Sequence, residues 1–180
     1  CMHHDLGALG TAINKSAIER QINILKSFGT NALRTSHNPP APELLELADK
    51  MGILILDEVF DCWASGKNEN DYAVHYSEWH KKDIEALVCR DRNHPSVIMW
   101  SLGNEVEEQY HPEKGVVAYL RDIVRLYDST RPVTFGASYP SKSAINGTEL
   151  QVDVHGMNYP SGVYGGPDFY ETFLNYPGHE

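Results

Sequence analysis

The chain has 180 residues, 41% of them hydrophobic and 22% charged, the make-up of a soluble globular domain long enough for a sizeable core. Its 25 Asp and Glu outnumber 15 Lys and Arg, and a formal net charge of −10 with no basic run makes nucleic acid and anionic membranes poor partners. No apolar stretch approaches the roughly 20 residues that span a bilayer. Three widely spaced cysteines, Cys1, Cys62 and Cys89, suit neither a disulfide framework nor a cysteine zinc site. The chain begins at Cys1 with no initiator methionine or signal peptide, so it reads as a piece excised from a longer protein. Composition leaves its compartment open between bacterial periplasm and cytoplasm.

Ser16 to Phe28 is predicted as a helix, with Ser16 as N-cap, Glu19 at the capping-box position, an Ile18, Ile22, Leu25 stripe and Gly29 as its stop. Asn31 to Thr35 is a short strand. Pro42 to Met51 is a helix with Leu44, Leu45, Leu47 and Ala48 inward and Gly52 ending it. Ile53 to Leu56 is a buried strand running into Asp57-Glu58. Tyr76 to Arg90 is a third helix, with Trp79, Ile84, Leu87 and Val88 on its inner side. Pro95 closes it, and a strand starts at Val97. Gly115 to Tyr127 is a fourth helix, with Val116, Tyr119, Leu120, Ile123 and Leu126 inward. Pro132 to Gly136 and Val152 to His155 are strands, and Cys1 to His3 reads as the tail of another.

Short apolar strands alternating with helices imply a parallel sheet. An open doubly wound sheet usually carries a glycine-rich phosphate turn after its first strand, and none is present. Polar clusters follow nearly every strand instead: Arg34 to Asn38, Asp57-Glu58, Asn104-Glu105 and His155 to Tyr159. Polar residues converging from many strand ends point to a (β/α)8 TIM barrel, whose chemistry gathers at the C-terminal face of its strands. Such a barrel takes about 250 residues. The whole chain is therefore expected to be one domain truncated at both ends, running from the first or second strand to the sixth and lacking about two strand–helix units.

The run Val97-Ile98-Met99-Trp100-Ser101-Leu102-Gly103-Asn104-Glu105 suits a strand buried on both faces that ends abruptly in an amide and a carboxylate. Those groups are poorly placed for packing and well placed for chemistry. The competing reading has Glu105 capping the next helix, since acidic residues favour a helix N-terminus.

The stretch Asp91-Arg92-Asn93-His94-Pro95-Ser96 leading into Val97 to Glu105 resembles the acid/base signature of glycoside hydrolase family 2, which holds β-galactosidases, β-glucuronidases and β-mannosidases. A second block, Gly29 to Pro40 followed by Leu47-Ala48-Asp49 and Gly52 to Glu58, stands in the family's order and spacing. The resemblance covers essentially the whole chain. It implies a retaining glycosidase barrel acting on an oligosaccharide or other β-glycoside, with no cofactor and with flanking β-sandwich domains in the parent. Glu105 would be the general acid/base and Asn104 the partner of the sugar 2-hydroxyl. The nucleophile would follow a seventh strand outside this chain; Glu171 and Glu180 lack the apolar strand such a residue ends. Arg34 would orient the nucleophile, or else form a structural ion pair with Asp57 or Glu58. His37 and Asp5 would contact the sugar, and Tyr159 the nucleophile, with His155 and Asn158 nearby. Trp63 would stack on a sugar face unless it belongs to the core.

His3-His4-Asp5 also allows a metal site. The magnesium-dependent galactosidases carry Glu-Thr-His where this chain has Asp61-Cys62-Trp63, so no metal is expected there. The style of Arg34 to Pro40 and of Asp57 to Trp63 resembles the bacterial β-galactosidase branch. A β-glucuronidase or β-mannosidase is the alternative, then a metal-dependent barrel hydrolase or a non-catalytic carbohydrate-binding barrel.

Overall fold

A computed structural model describes residues 1–3, 5–138 and 147–158. Ten elements carry the fold: β1 (Met2–His3), α1 (Lys15–Ser27), β2 (Ala32–Ser36), α2 (Pro42–Met51), β3 (Leu54–Glu58), α3 (Ala73–Asp91), β4 (Val97–Asn104), α4 (Val116–Tyr127), β5 (Val133–Ala137) and β6 (Gly156–Met157). The six strands form one sheet in chain order, and every neighbouring pair is parallel. Parallel neighbours demand a crossover, and α1 to α4 supply the first four. The result is an incomplete α/β barrel with the helices on its outer face.

Local signals explain most boundaries. Pro42 opens α2, where its missing N–H costs nothing, and Gly52 closes it at φ 70° with its amide on the Ala48 carbonyl. Leu45 and Ala48 are fully buried beneath that helix, and each such leucine contributes about 1.5–3 kcal/mol by burial. In α1 the N-cap is Asn14 rather than Ser16. Asn14 Oδ1 accepts the Ala17 amide at 3.0 Å, so Ser16 already lies inside the first turn and the Ser16–Glu19 box does not form. Helix α3 starts at Ala73, three residues before the expected Tyr76, because Asp71 accepts the Ala73 amide at 3.0 Å.

In two helices one flank of the expected stripe is exposed, while Ile84, Leu87 and Val88 of α3 and Leu120 and Ile123 of α4 are buried as expected. Trp79 is 43% exposed, with the Lys82 ammonium 4.3 Å from its ring centroid, while Tyr76, Ile84, Leu87 and Val88 face the core. In α4 the buried set is Val117, Leu120, Ile123 and Val124, whereas Leu126 is 77% exposed. Strand β6 is shorter and later than Val152 to His155, although the Asp153 amide still reaches the Val133 carbonyl at 2.9 Å. The entry to β4 is tied to α2: Asp49 accepts from the Ser96 amide at 2.9 Å and pairs with His94 Nδ1 at 2.6 Å. His94 and Ser96 of the Asp91 to Glu105 pattern thus serve the strand's start, far along the strand from Glu105.

Candidate active site

Side chains alternate along a strand, so neighbours in β3 face opposite ways. Asp57 turns to the helix layer, fully buried near Arg90 and Asp91, and burial together with the Asp91 charge pushes its carboxyl well above the usual range. Glu58 turns into the barrel, also fully buried. There it meets Arg34, the third residue of β2. Arg34 Nε donates to Glu58 Oε2 at 2.7 Å and Nη2 lies 2.6 Å from the same oxygen. Ser101 Oγ donates to that oxygen at 2.5 Å, and His37 Nδ1 lies 2.5 Å from Oε1. The ion pair foreseen for Arg34 therefore forms with Glu58, not with Asp57. Burying these charges is tolerable because each is paired and hydrogen-bonded.

The rest of the guanidinium reaches across the barrel. Arg34 Nη2 donates to Asn104 Oδ1 and Nη1 to Asn158 Oδ1, both at 3.0 Å. Gly136 in β5 leaves the room: a Cβ there would stand 2.5 Å from Arg34 Nη2. Asn158 Nδ2 donates to Asn104 Oδ1 at 2.8 Å and to Glu105 Oε1 at 2.7 Å.

Glu105 sits one residue past β4, half-buried, with φ 47° and its amide on the Gly136 carbonyl at 2.7 Å. It does not cap the following helix. The single turn Glu107–Tyr110 has Val106 at its N-cap position and no side-chain cap. A non-glycine residue at positive φ is uncommon, and here it turns the carboxylate to Asn158. Lys67 Nζ donates to the Asn104 carbonyl and to Asp61 Oδ1, each at 2.7 Å. The sequence reading missed this lysine, since a lone loop cation carries no pattern.

His37 also stacks edge-on against His3, with centroids 5.4 Å apart. Asp5 is exposed and, with His3, His37 and Asp61, lines a cavity of about 850 Å3 at the rim of β1 to β3. His155 precedes β6 and is half-buried. Tyr159, His4, Glu171 and Glu180 lie outside the described residues. Among the described residues no group of three or more His, Cys, Asp and Glu is gathered to hold a metal. Trp63 is a correction: its ring is fully buried, 6.4 Å from Phe135, with its N–H on the Leu102 carbonyl at 2.9 Å. A ring with no exposed face offers a sugar nothing to stack on, and the core reading of Trp63 holds.

The site thus gathers Arg34, His37, Glu58, Asn104, Glu105 and Asn158, from four strand ends, at one end of the sheet. It presents a carboxyl group anchored through one oxygen, flanked by an amide, behind which a buried ion pair fixes the geometry.

The sequence pattern described as glycosyl hydrolases family 2, TIM barrel domain, matches residues 2–178. Beta-galactosidase BoGH2A of Bacteroides ovatus is 42% identical over 88% of this chain and 22% of its own length. A β-glucuronidase of Streptococcus agalactiae is 36% identical over 73% of this chain and 24% of its own. The crystal structure of a family 2 member from Bacteroides cellulosilyticus superposes with a TM-score of 0.83 at 44% identity, covering 88% of this chain and 20% of that one. The chain spans about a fifth of the length of these relatives. A parallel barrel sheet, a family pattern running nearly end to end and relatives above 40% identity agree: this chain belongs to glycosyl hydrolase family 2, within its TIM barrel domain.

Proposed function

We propose that the chain supplies the acid/base half of a retaining β-glycosidase site. The observation that carries this reading is Glu105 at the end of β4, held through Oε1 by Asn158 and flanked by Asn104. In this reading the other carboxyl oxygen protonates the leaving glycosidic oxygen and later takes a proton from water. The nucleophile, about 5–5.5 Å away in a retaining enzyme, comes from a part of the parent protein not in this chain. Asn104 Oδ1 is committed to Arg34 and Asn158, which leaves its NH2 end for the sugar 2-hydroxyl.

The substrate we favour is a terminal β-galactoside, supported by the 42% identity to a β-galactosidase. A β-glucuronide is the second reading, supported by the 36% identity to a β-glucuronidase. Nitrophenyl β-galactoside and β-glucuronide assayed on the parent enzyme separate the two. For the acid/base, Glu105→Ala in the parent slows substrates with poor leaving groups by about 10²–10⁴-fold, spares activated aryl glycosides more, and is rescued by azide. Near wild-type hydrolysis of a disaccharide by that variant ends the assignment.

A further inference from the structure

The contacts around β6 single out a residue that the sequence reading left without a role. Asn158 is anchored twice. Its backbone amide donates to the Ala137 carbonyl of β5 at 3.0 Å, and its side-chain oxygen accepts from Arg34 Nη1 at 3.0 Å. An amide side chain has two unlike ends, and a guanidinium has no acceptor. Arg34 therefore dictates that Asn158 Oδ1 faces the cation and Nδ2 faces the other way. On that other side lie two oxygens, Asn104 Oδ1 at 2.8 Å and Glu105 Oε1 at 2.7 Å. A flipped amide would set oxygen against oxygen at both contacts. Arg34 is held in turn by the fully buried Glu58 carboxylate through Nε and Nη2. The order runs Glu58, Arg34, Asn158, Glu105, each link deciding the orientation of the next.

We propose that Asn158 is the positioning residue of the acid/base, holding the Glu105 carboxyl by one oxygen and itself turned to do so by the Glu58–Arg34 pair. This rests on the reading of Glu105 as acid/base. A general acid works only within about 2.6–3.2 Å of the oxygen it protonates, and a misplacement of about 1 Å costs on the order of 10²-fold. The Glu105 backbone stands past the strand at φ 47° with its amide on the Gly136 carbonyl, which fixes the main chain and leaves the carboxyl to be held by a side chain. Asn158 supplies that hold.

The test uses the full-length parent with Asn158→Ala and Asn158→Asp. The aspartate keeps the volume and the oxygen facing Arg34 but replaces the donor to Glu105 with a like charge. Each variant is assayed on an activated nitrophenyl glycoside and on the methyl glycoside of the same sugar, with melting temperature measured on the same preparation and Glu105→Ala run in parallel. The expected result is a loss in kcat/KM at least tenfold larger on the methyl glycoside than on the nitrophenyl one for both variants. Asn158→Asp should be the worse of the two while melting near wild type. An equal loss on the two substrates, or none, in folded Asn158→Asp overturns the proposal even if Asn158→Ala melts early. If Glu105→Ala itself shows no leaving-group dependence, the acid/base reading fails first. If Glu105→Ala shows it and the Asn158 variants do not, only the positioning role fails.

Discussion

Arg34 makes two polar contacts to Glu58 and one each to Asn104 and Asn158, with a longer one from Nη1 to Cys1 Sγ. A planar fork can serve these directions together, whereas a lysine ammonium is a point charge on a flexible stem. Arg34→Lys keeps the charge beside Glu58 and loses the bonds that orient both amides. We expect kcat/KM of the parent enzyme to fall by at least ~10²-fold, roughly 2.7 kcal/mol of transition-state stabilisation. Steady-state kinetics alongside a melting curve separate orientation from bracing. If the pair with Glu58 is only a brace, the variant melts early and its surviving folded fraction keeps normal kcat/KM. The neighbouring Asp57 shows how one residue step changes a carboxylate's environment. It faces the helix layer, away from Arg34, and its raised protonation range follows from burial and from Asp91. No spacing rule in the sequence separates these two acids. The side-chain alternation of a strand does so once its register is known.

Among the elements, α4 and its exit show what local patterns convey and where they stop. Asp128 ends that helix and accepts four hydrogen bonds. They come from the Thr130 amide at 2.8 Å and hydroxyl at 2.6 Å, Arg131 Nη1 at 2.6 Å and the buried Trp100 Nε1 at 3.0 Å. Burial alone would raise its proton affinity, but the bonds from Thr130, Arg131 and Trp100 outweigh it and hold the carboxyl well below its usual range. A carboxyl that ionises more readily folded than unfolded adds stability above the unfolded range, near pH 4, and loses it as pH falls through the folded one. Asp128→Ala should therefore lower the melting temperature at pH 7. The stranded indole N–H alone costs about 1–3 kcal/mol, and each kcal/mol moves a domain of this size by about 2–4 °C. The gap to wild type should narrow as pH drops below about 4. A gap that stays constant with pH would mean that Asp128 contributes packing rather than charge. Helix α2 was legible to the residue, because Pro42 and Gly52 act through their own backbones. The middle of the inward faces of α3 and α4 was legible too, but their flanks were not, because Trp79, Tyr119 and Leu126 satisfy helical periodicity as well as their buried neighbours do. Only the sheet beneath decides which flank of a broad apolar stripe is covered.

At the scale of the whole molecule, β1 and β6 each pair on one side only among the described residues. Strand edges left open are templates for wrong pairing, and a barrel removes them only by closing. We expect residues 1–180 expressed alone to show no measurable glycosidase turnover and to associate through these edges, as read by an aryl glycoside assay and light scattering. Robust turnover by that piece would place a nucleophile within it. The family and the barrel class were legible from sequence because they are written in contiguous runs: apolar strands, polar strand ends and two long motif blocks. Arg34, His37, Asn104 and Glu105 were nameable for the same reason, each lying inside such a block. Three things came only from the tertiary structure. Glu58 rather than Asp57 faces Arg34, Trp63 lies in the core, and Asn158 bridges to Glu105 across 53 positions of sequence. These depend on strand register and on which side chains share the barrel interior. Register is a property of pairs of strands distant in the chain, and a slip of one residue exchanges the two faces of a strand, so neighbours such as Asp57 and Glu58 are told apart only once the pairing is known.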